Sequence, residues 1–244
     1  MQEKFDVVIL SGGQGTRLRD VIGETQKVLV KVNHEPFLLK QLRWLVEQNI
    51  GKVILALGYK AADVQRLIAD VKIDLRIIPS VETKTLGTGG AVRNALRFVE
   101  TNTLAVINGD SFVPVDLEDI IRKHKVCDAK ITLVIKKMDD VGRYGVVVCN
   151  NNDEVEMFIE KSNMLCQEKN LYINTGIYFI QKSEIDKIAK NKNISLEKEL
   201  LPNYVGNRLF VYKTELPFID IGTPQSLREA PHFFNLLGGC PRTD

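Results

Sequence analysis

Cysteine is scarce in this chain of 244 residues. Cys127, Cys149, Cys166 and Cys240 are scattered, with no Cys-x-x-Cys pair. That spacing supports neither a disulfide framework nor a zinc site, so the thiols read as reduced. Histidine is scarcer still: His34, His124 and His232 have no second His or Cys at ligand spacing, and none reads as a metal ligand. No apolar run approaches the ~18 residues of a membrane span. The opening MQEKFDVVIL lacks the apolar core of a leader peptide and enters a strand almost at once. The chain reads as cytoplasmic, with no membrane partner. Neither charge sign dominates, with 33 Lys and Arg against 31 Asp and Glu, so there is no basic field for nucleic acid.

What is present concentrates between Val7 and Lys27. Val7, Val8, Ile9 and Leu10 form the apolar run of a buried parallel strand. Ser11-Gly12-Gly13-Gln14-Gly15-Thr16 follows directly, and its glycines let backbone N–H groups approach a ligand closely. Arg17, Arg19 and Lys27 come next. Two familiar glycine loops are excluded. The dinucleotide fingerprint needs a third glycine where Leu18 stands, and an acid after the second strand, where Gly58-Tyr59 follows instead. The P-loop needs Gly-Lys-Ser/Thr, which this stretch lacks. A glycine turn armed with Arg and Lys suits a polyphosphate.

Downstream, apolar spacing predicts a helix over Glu35–Asn49 and a strand over Val53–Leu57. A helix over Ala61–Asp70 and a strand over Leu75–Ile78 ending at Pro79 come next. A helix over Gly87–Val99 and a strand over Leu104–Ile107 complete this part. This alternation implies a parallel sheet whose ligands gather at the carboxyl ends of its strands. Beyond residue 115 the pattern turns mixed. Leu117–Val126 reads as a helix, and Lys130–Ile135, Gly145–Cys149, Glu154–Ile159, Tyr172–Ile180 and Arg208–Tyr212 read as strands. Ser195–Val205 reads as helical, and Phe218–Ile221 leads into a last helix from about Pro224 to Leu237. The fold class expected is α/β, a Rossmann-like three-layer αβα sandwich on a mostly parallel mixed sheet. No linker, repeat or low-complexity segment divides it. One domain is expected over 1–244: a nucleotide half at 1–115, an acceptor half at 116–223, and a C-terminal helix and tail at 224–244.

Three further constellations sit at strand ends. Leu86-Gly87-Thr88-Gly89-Gly90-Ala91 follows Val81-Glu82, and its small residues would let a flat base or a sugar edge approach the backbone. Asn108-Gly109-Asp110-Ser111 places a carboxylate where phosphates would lie, suited to a hard cation. In Phe218-Ile219-Asp220-Ile221-Gly222-Thr223-Pro224, Asp220 stands among apolar neighbours, where a bound metal would offset its burial. The plainer readings are turn formation at Asp110, helix capping at Asp220 and a solvated loop acid at Glu82.

The run Gly-Gly-x-Gly-Thr-Arg-Leu followed by a lysine resembles the sugar-1-phosphate nucleotidyltransferase family, and the resemblance extends from Val7 to about Asp220 and Pro224. It implies that Leu10, Ser11, Gly12, Gly13, Gly15, Thr16 and Arg17 bind the nucleotide together with Glu82, Gly87, Thr88 and Asp110. Asp110 and Asp220 would hold Mg²⁺. Arg17, Lys27, Asp110 and Asp220 would be catalytic, with Arg17 at the departing β/γ phosphates and Lys27 at the reacting ones. In the acceptor half, Gly145, Glu160, Lys161, Asn174 and Thr175 would bind a sugar 1-phosphate, Lys161 its phosphate and Glu160 and Asn174 its hydroxyls. Uridylyl and thymidylyl members usually carry Gln where Glu82 stands. A carboxylate only accepts hydrogen bonds, and guanine offers adjacent N1–H and N2–H donors, so Glu82 suits guanine better than uracil.

Two departures stand out: Gln26 replaces the proline usual before the signature lysine, and Ser162 replaces the one after Glu-Lys. Within the family the motifs most resemble the bacterial D-glycero-α-D-manno-heptose 1-phosphate guanylyltransferases, which implies GTP and a heptose 1-phosphate as substrates. Mannose 1-phosphate with GTP, or another sugar with UTP, dTTP or CTP, stays open as an alternative. So do a non-catalytic nucleotide-sensing subunit and a sugar-nucleotide-using glycosyltransferase. A homo-oligomer is compatible with the sequence.

Overall fold

The computed structural model describes residues 4–13, 15–138, 141–159 and 171–239. A nine-stranded sheet crosses the protein. In chain order its strands are β1 (Asp6–Ser11), β2 (Lys52–Leu57), β3 (Arg76–Val81), β4 (Thr103–Asn108), β5 (Ile131–Lys137), β6 (Val146–Cys149), β7 (Val155–Ile159), β8 (Tyr172–Gln181) and β9 (Leu209–Thr214). β1 lies between β4 and β2, parallel to both, and β3 runs parallel beside β2 at the edge. β8 runs antiparallel to β4 on one side and to β5 on the other, and β9 lies parallel to β5. Only β7 and β8 among the nine described strands oppose β1, so the sheet is mixed but mostly parallel.

Helices cover both faces, giving the three layers expected. Val7 and Ile9 of β1 face a core completed by α1 (Phe37–Glu47), α2 (Ala61–Asp70), α4 (Leu117–Val126) and α5 (Pro224–Gly239). Val8 faces the opposite core with α3 (Gly87–Ala95), Ile185, Leu196 and Leu201. β1 is buried on both faces because Val7–Leu10 are apolar at successive positions rather than at alternate ones. No helix among the described residues is long and apolar enough to cross a membrane.

The structure departs from the sequence reading in several places. β3 runs through Pro79 to Val81 instead of stopping at Pro79. An edge strand has one side without a partner, so the absent proline N–H need not interrupt the ladder. The helix beginning at Gly87 tightens into a 3₁₀ turn at Leu96–Phe98. Ser195–Val205 is not one regular helix: a wide π turn over Leu196–Leu200 passes into a 3₁₀ turn at Leu201–Tyr204, with Pro202 early in the second turn. A short helix at Lys182–Asp186 gave no sequence signal. Two-residue pairings, Lys31–Val32 with Glu35–Pro36 and Ser111–Phe112 with Ile219–Asp220, were also missed.

Candidate active site

The carboxyl ends of β1 and β4 open onto a cavity of about 570 Å³, which extends to the bend of β8 and to Asp220. Gly12 lies against Gly58, and a Cβ on Gly58 would fall 2.6 Å from Glu82 Oε1 and 3.1 Å from the Gly12 carbonyl. Glycine at 58 therefore makes room for the Glu82 carboxylate beside the glycine loop. Glu82 Oε2 accepts the Leu86 N–H at 3.2 Å. Burial raises the Glu82 carboxyl above its ordinary range, and the Leu86 hydrogen bond opposes this without cancelling it. Gly15 takes a positive φ of 61°, and its carbonyl accepts from Leu18 N at 2.9 Å. Leu18, which breaks the dinucleotide pattern, is fully buried. Arg17 is exposed and lines the cavity with Leu10, Ser11, Gly12, Gly13 and Gly15. Thr16 lies in the 3₁₀ turn that follows the loop.

Gln26 resolves how Lys27 is held without the usual proline. Gln26 is 1% exposed; its Nε2 donates to the Ser11 carbonyl at 2.5 Å and its Oε1 accepts from Val28 N at 3.0 Å. The amide thereby caps the turn Lys27–Leu29 and ties it to the end of β1. Lys27 emerges into the cavity and ion-pairs with Asp110.

Asp110 and Asp220 come from opposite halves of the chain and meet here. Ser111 pairs with Asp220 across a short antiparallel bridge, and Ile221 N donates to the Asp110 carbonyl at 2.8 Å. Gly109 fits beside the end of β1, where a Cβ would lie 2.6 Å from the Leu10 carbonyl. Gln41, buried on the core side of α1, donates to the carbonyls of Asn108 and Ser111 at 2.9 Å each and pins this turn. Asp220 Oδ1 accepts from Gly222 N at 2.7 Å, while Oδ2 accepts from Tyr144 and from Arg143 Nη2 at 3.3 Å. Burial and then the hydrogen bond to the Asp220 carboxylate push the Tyr144 hydroxyl well above its usual range, so it is protonated and donating.

At the acceptor end, β8 loses register against β5 between Asn174 and Tyr178. This bend occurs at Thr175-Gly176, where Gly176 adopts a φ of 86° and a Cβ would lie 2.5 Å from Asn108 Nδ2. The bulge brings Asn174 to the cavity, where its N–H donates to the Gly145 carbonyl at 2.9 Å. The Thr175 hydroxyl turns away to the Val134 carbonyl at 2.8 Å, while its own carbonyl accepts from Ser111 Oγ at 2.9 Å. Glu160 and Lys161 lie outside the described residues.

A polar chain that sequence reasoning missed closes this end. Asn174 Nδ2 donates to Tyr178 Oη (2.7 Å), Tyr178 to Glu197 Oε1 (3.2 Å), and Thr88 Oγ1 to Glu197 Oε2 (2.7 Å). The Ile194 carbonyl accepts from Gly89 N and Gly90 N at 2.8 and 3.2 Å. Cβ atoms on Gly87 and Gly90 would fall 2.5 Å from the Ile194 carbonyl and 2.3 Å from that of Lys192. These glycines therefore have a packing reason that operates with no ligand present. Arg143, Tyr178 and Glu197 also line the cavity, and no short motif marks them. Gln41 did leave a trace, as a polar residue on the apolar stripe of α1.

The family model for nucleotidyl transferases matches residues 6–235. The chain is 36% identical over 221 residues to a D-glycero-α-D-manno-heptose 1-phosphate guanylyltransferase of Campylobacter jejuni, covering 91% of this chain and 96% of that protein. It is 33% identical over 225 residues to a probable mannose-1-phosphate guanylyltransferase of Oryza sativa, covering 89% of this chain and 61% of the plant protein. Among solved structures, HddC from Yersinia pseudotuberculosis complexed with GMP-PN superposes with a TM-score of 0.83 at 32% identity, over 95% of this chain and all of that one. Fold, glycine loop and extent of match agree, and the chain belongs to the nucleotidyl transferase family.

Proposed function

We propose that this protein condenses GTP with D-glycero-α-D-manno-heptose 1-phosphate to give GDP-heptose and pyrophosphate, for bacterial surface polysaccharide synthesis. The observation that carries the reading is the meeting of Asp110, Asp220 and Lys27 in one cavity beside the glycine loop. A phosphate oxygen of the acceptor attacks the α-phosphorus, a new P–O bond forms, and the bond to the β-phosphate bridging oxygen breaks. The acceptor already carries an anionic oxygen, so no side-chain nucleophile is needed. The protein's work is to bring two anions together and to offset charge as the bond breaks.

Arg17 faces the departing β/γ phosphates and Lys27 the reacting ones; Lys161 is assigned to the acceptor phosphate. The backbone of Ser11, Gly12, Gly13 and Gly15 cradles the triphosphate, with Thr16 following. Glu82 accepts from guanine N1–H and N2–H, with Gly87 and Thr88 beside the base and ribose. Gly145, Glu160, Asn174 and Thr175 frame the sugar, Thr175 through its backbone because its hydroxyl is engaged.

Two carboxylates converge, and among the described residues no group of three or more His, Cys, Asp or Glu could hold a metal by itself. That donor set fits Mg²⁺, which takes one or two carboxylates and fills its shell with substrate phosphates and water. When bound, the ion neutralises phosphate charge and polarises the reacting phosphoryl group.

The likeness to a mannose-1-phosphate guanylyltransferase favours mannose 1-phosphate as the second reading of the acceptor. Pyrophosphate release from GTP, UTP, dTTP and CTP, each with heptose 1-phosphate and mannose 1-phosphate, tests both. UTP equal to GTP overturns the assignment of Glu82, and no release with any pair overturns the activity.

A further inference from the structure

Asp220 is engaged at both of its carboxylate oxygens. An ionised carboxylate offers about four lone-pair positions, and Asp220 meets donors at each oxygen. Gly222 N (2.7 Å) and Ser226 Oγ (3.5 Å) reach Oδ1, while Tyr144 Oη and Arg143 Nη2 (3.3 Å) reach Oδ2. The Oδ1 donors belong to the turn that carries Asp220 into α5, so they move with it. The Oδ2 donors come from a different segment, just before β6. Arg143 is 40% exposed, lines the cavity, and also donates to Thr223 Oγ1 at 2.8 Å. Its position beside Gly145 and Asp220 is where an acceptor phosphate must arrive to meet a nucleotide phosphate held at Asp110 and Asp220.

Resting on the proposed reaction, we infer that Arg143 has two competing partners, Asp220 and the acceptor's phosphate. Asp220 would hold a divalent cation at the expense of its bond to the guanidinium. The freed charge then faces an arriving dianion, which a planar fork of N–H donors binds in bidentate fashion. Cation binding and acceptor binding are thereby coupled through one side chain. Tyr144 shares the first partner and not the second, since a protonated phenol carries no charge.

Two equilibrium titrations test this: Mn²⁺ by electron paramagnetic resonance, and heptose 1-phosphate by calorimetry with Mn²⁺ and GTP's α,β-methylene analogue present. Arg143→Ala should tighten Mn²⁺ binding by the free protein several-fold and weaken the sugar phosphate about tenfold or more, the size expected for a lost charge-assisted bond. Tyr144→Phe should also tighten Mn²⁺ while leaving sugar phosphate affinity within about twofold. Arg143→Lys should restore part of the sugar phosphate affinity. Weaker Mn²⁺ binding in Arg143→Ala would make the guanidinium a mere support for Asp220 and overturn the proposal, as would unchanged sugar phosphate affinity. Melting curves show whether each variant is folded. Pyrophosphate release by the unaltered protein reports on the reaction separately, so its failure is distinguishable from failure of the exchange.

Discussion

Ile221 donates its backbone N–H to the carbonyl of Asp110 at 2.8 Å, and this main-chain bond joins the two halves of the cavity. Because the link uses backbone atoms, the carboxylates can be changed without cutting it. Asp110→Asn and Asp220→Asn should each keep a folded protein and lower turnover on the order of 10²-fold or more. If the two acids act on one ion, the double variant should lose little beyond the worse single one, because groups that work as a unit are not additive. Pyrophosphate release across the four-member cycle measures this, and full additivity would separate their roles.

Gln26 supports Lys27 through an amide that has both ends occupied and is shielded from water. Gln26→Ala leaves the Ser11 carbonyl and Val28 N–H unpaired in a buried place, at a cost of about 1–3 kcal/mol. Gln26→Pro suits the local φ of −65° yet loses the same two bonds. Urea unfolding should therefore show both variants destabilised. Proline no less stable than glutamine would mean that rigidity alone suffices at this position.

Much of the fold could be read from local pattern because the interiors of β1, β2 and β4 are unbroken apolar runs that end abruptly at turns. Asp110 and Asp220 were legible for the same reason: each follows an apolar stretch and precedes a glycine or serine turn. Arg143, Tyr178 and Glu197 were not, since their roles depend on contacts between distant segments that leave no periodic trace. Pro79 misled because its effect depends on whether a strand lies at an edge, which is a property of the sheet order. The glycines of the segment beginning at Leu86 were visible as small residues, but the chain at Lys192–Ile194 that requires them could not be seen from the motif itself.

Glu82 carries a conflict between stability and recognition. Burial raises its carboxyl above the ordinary range, so between the unfolded and folded values the native chain holds a proton that the unfolded chain has released. Stability contributed at this site therefore falls as pH rises through that window, because the ionised form carries a burial cost that the protonated form does not. Glu82→Gln should raise the melting temperature at pH 7, with the gain vanishing below the ordinary carboxylate range. It retains an oxygen for Leu86 N but presents an amide to the base. The ratio of GTP to UTP turnover should fall at the same time. A variant that melts lower at pH 7, or keeps its preference for GTP, would contradict this account.

Two glycines of the cavity wall should respond in opposite ways to one added methyl. At Gly90 the new Cβ would meet the Lys192 carbonyl at 2.3 Å, a backbone atom that cannot swing aside. Gly90→Ala must push away the chain leading to Glu197, at a cost of about 1–3 kcal/mol. It should lower turnover as Glu197 loses its fixed place between Thr88 and Tyr178. At Gly13 nothing lies within 4 Å of the added atom, and the backbone does not require a positive φ. Gly13→Ala should keep stability within about 0.5 kcal/mol, yet put a methyl on the surface proposed to cradle phosphates. Thermal melting and GTP titration of the two variants separate the roles. A stable Gly90→Ala would remove the packing reason for the second glycine segment, and unchanged GTP affinity in Gly13→Ala would place the triphosphate elsewhere.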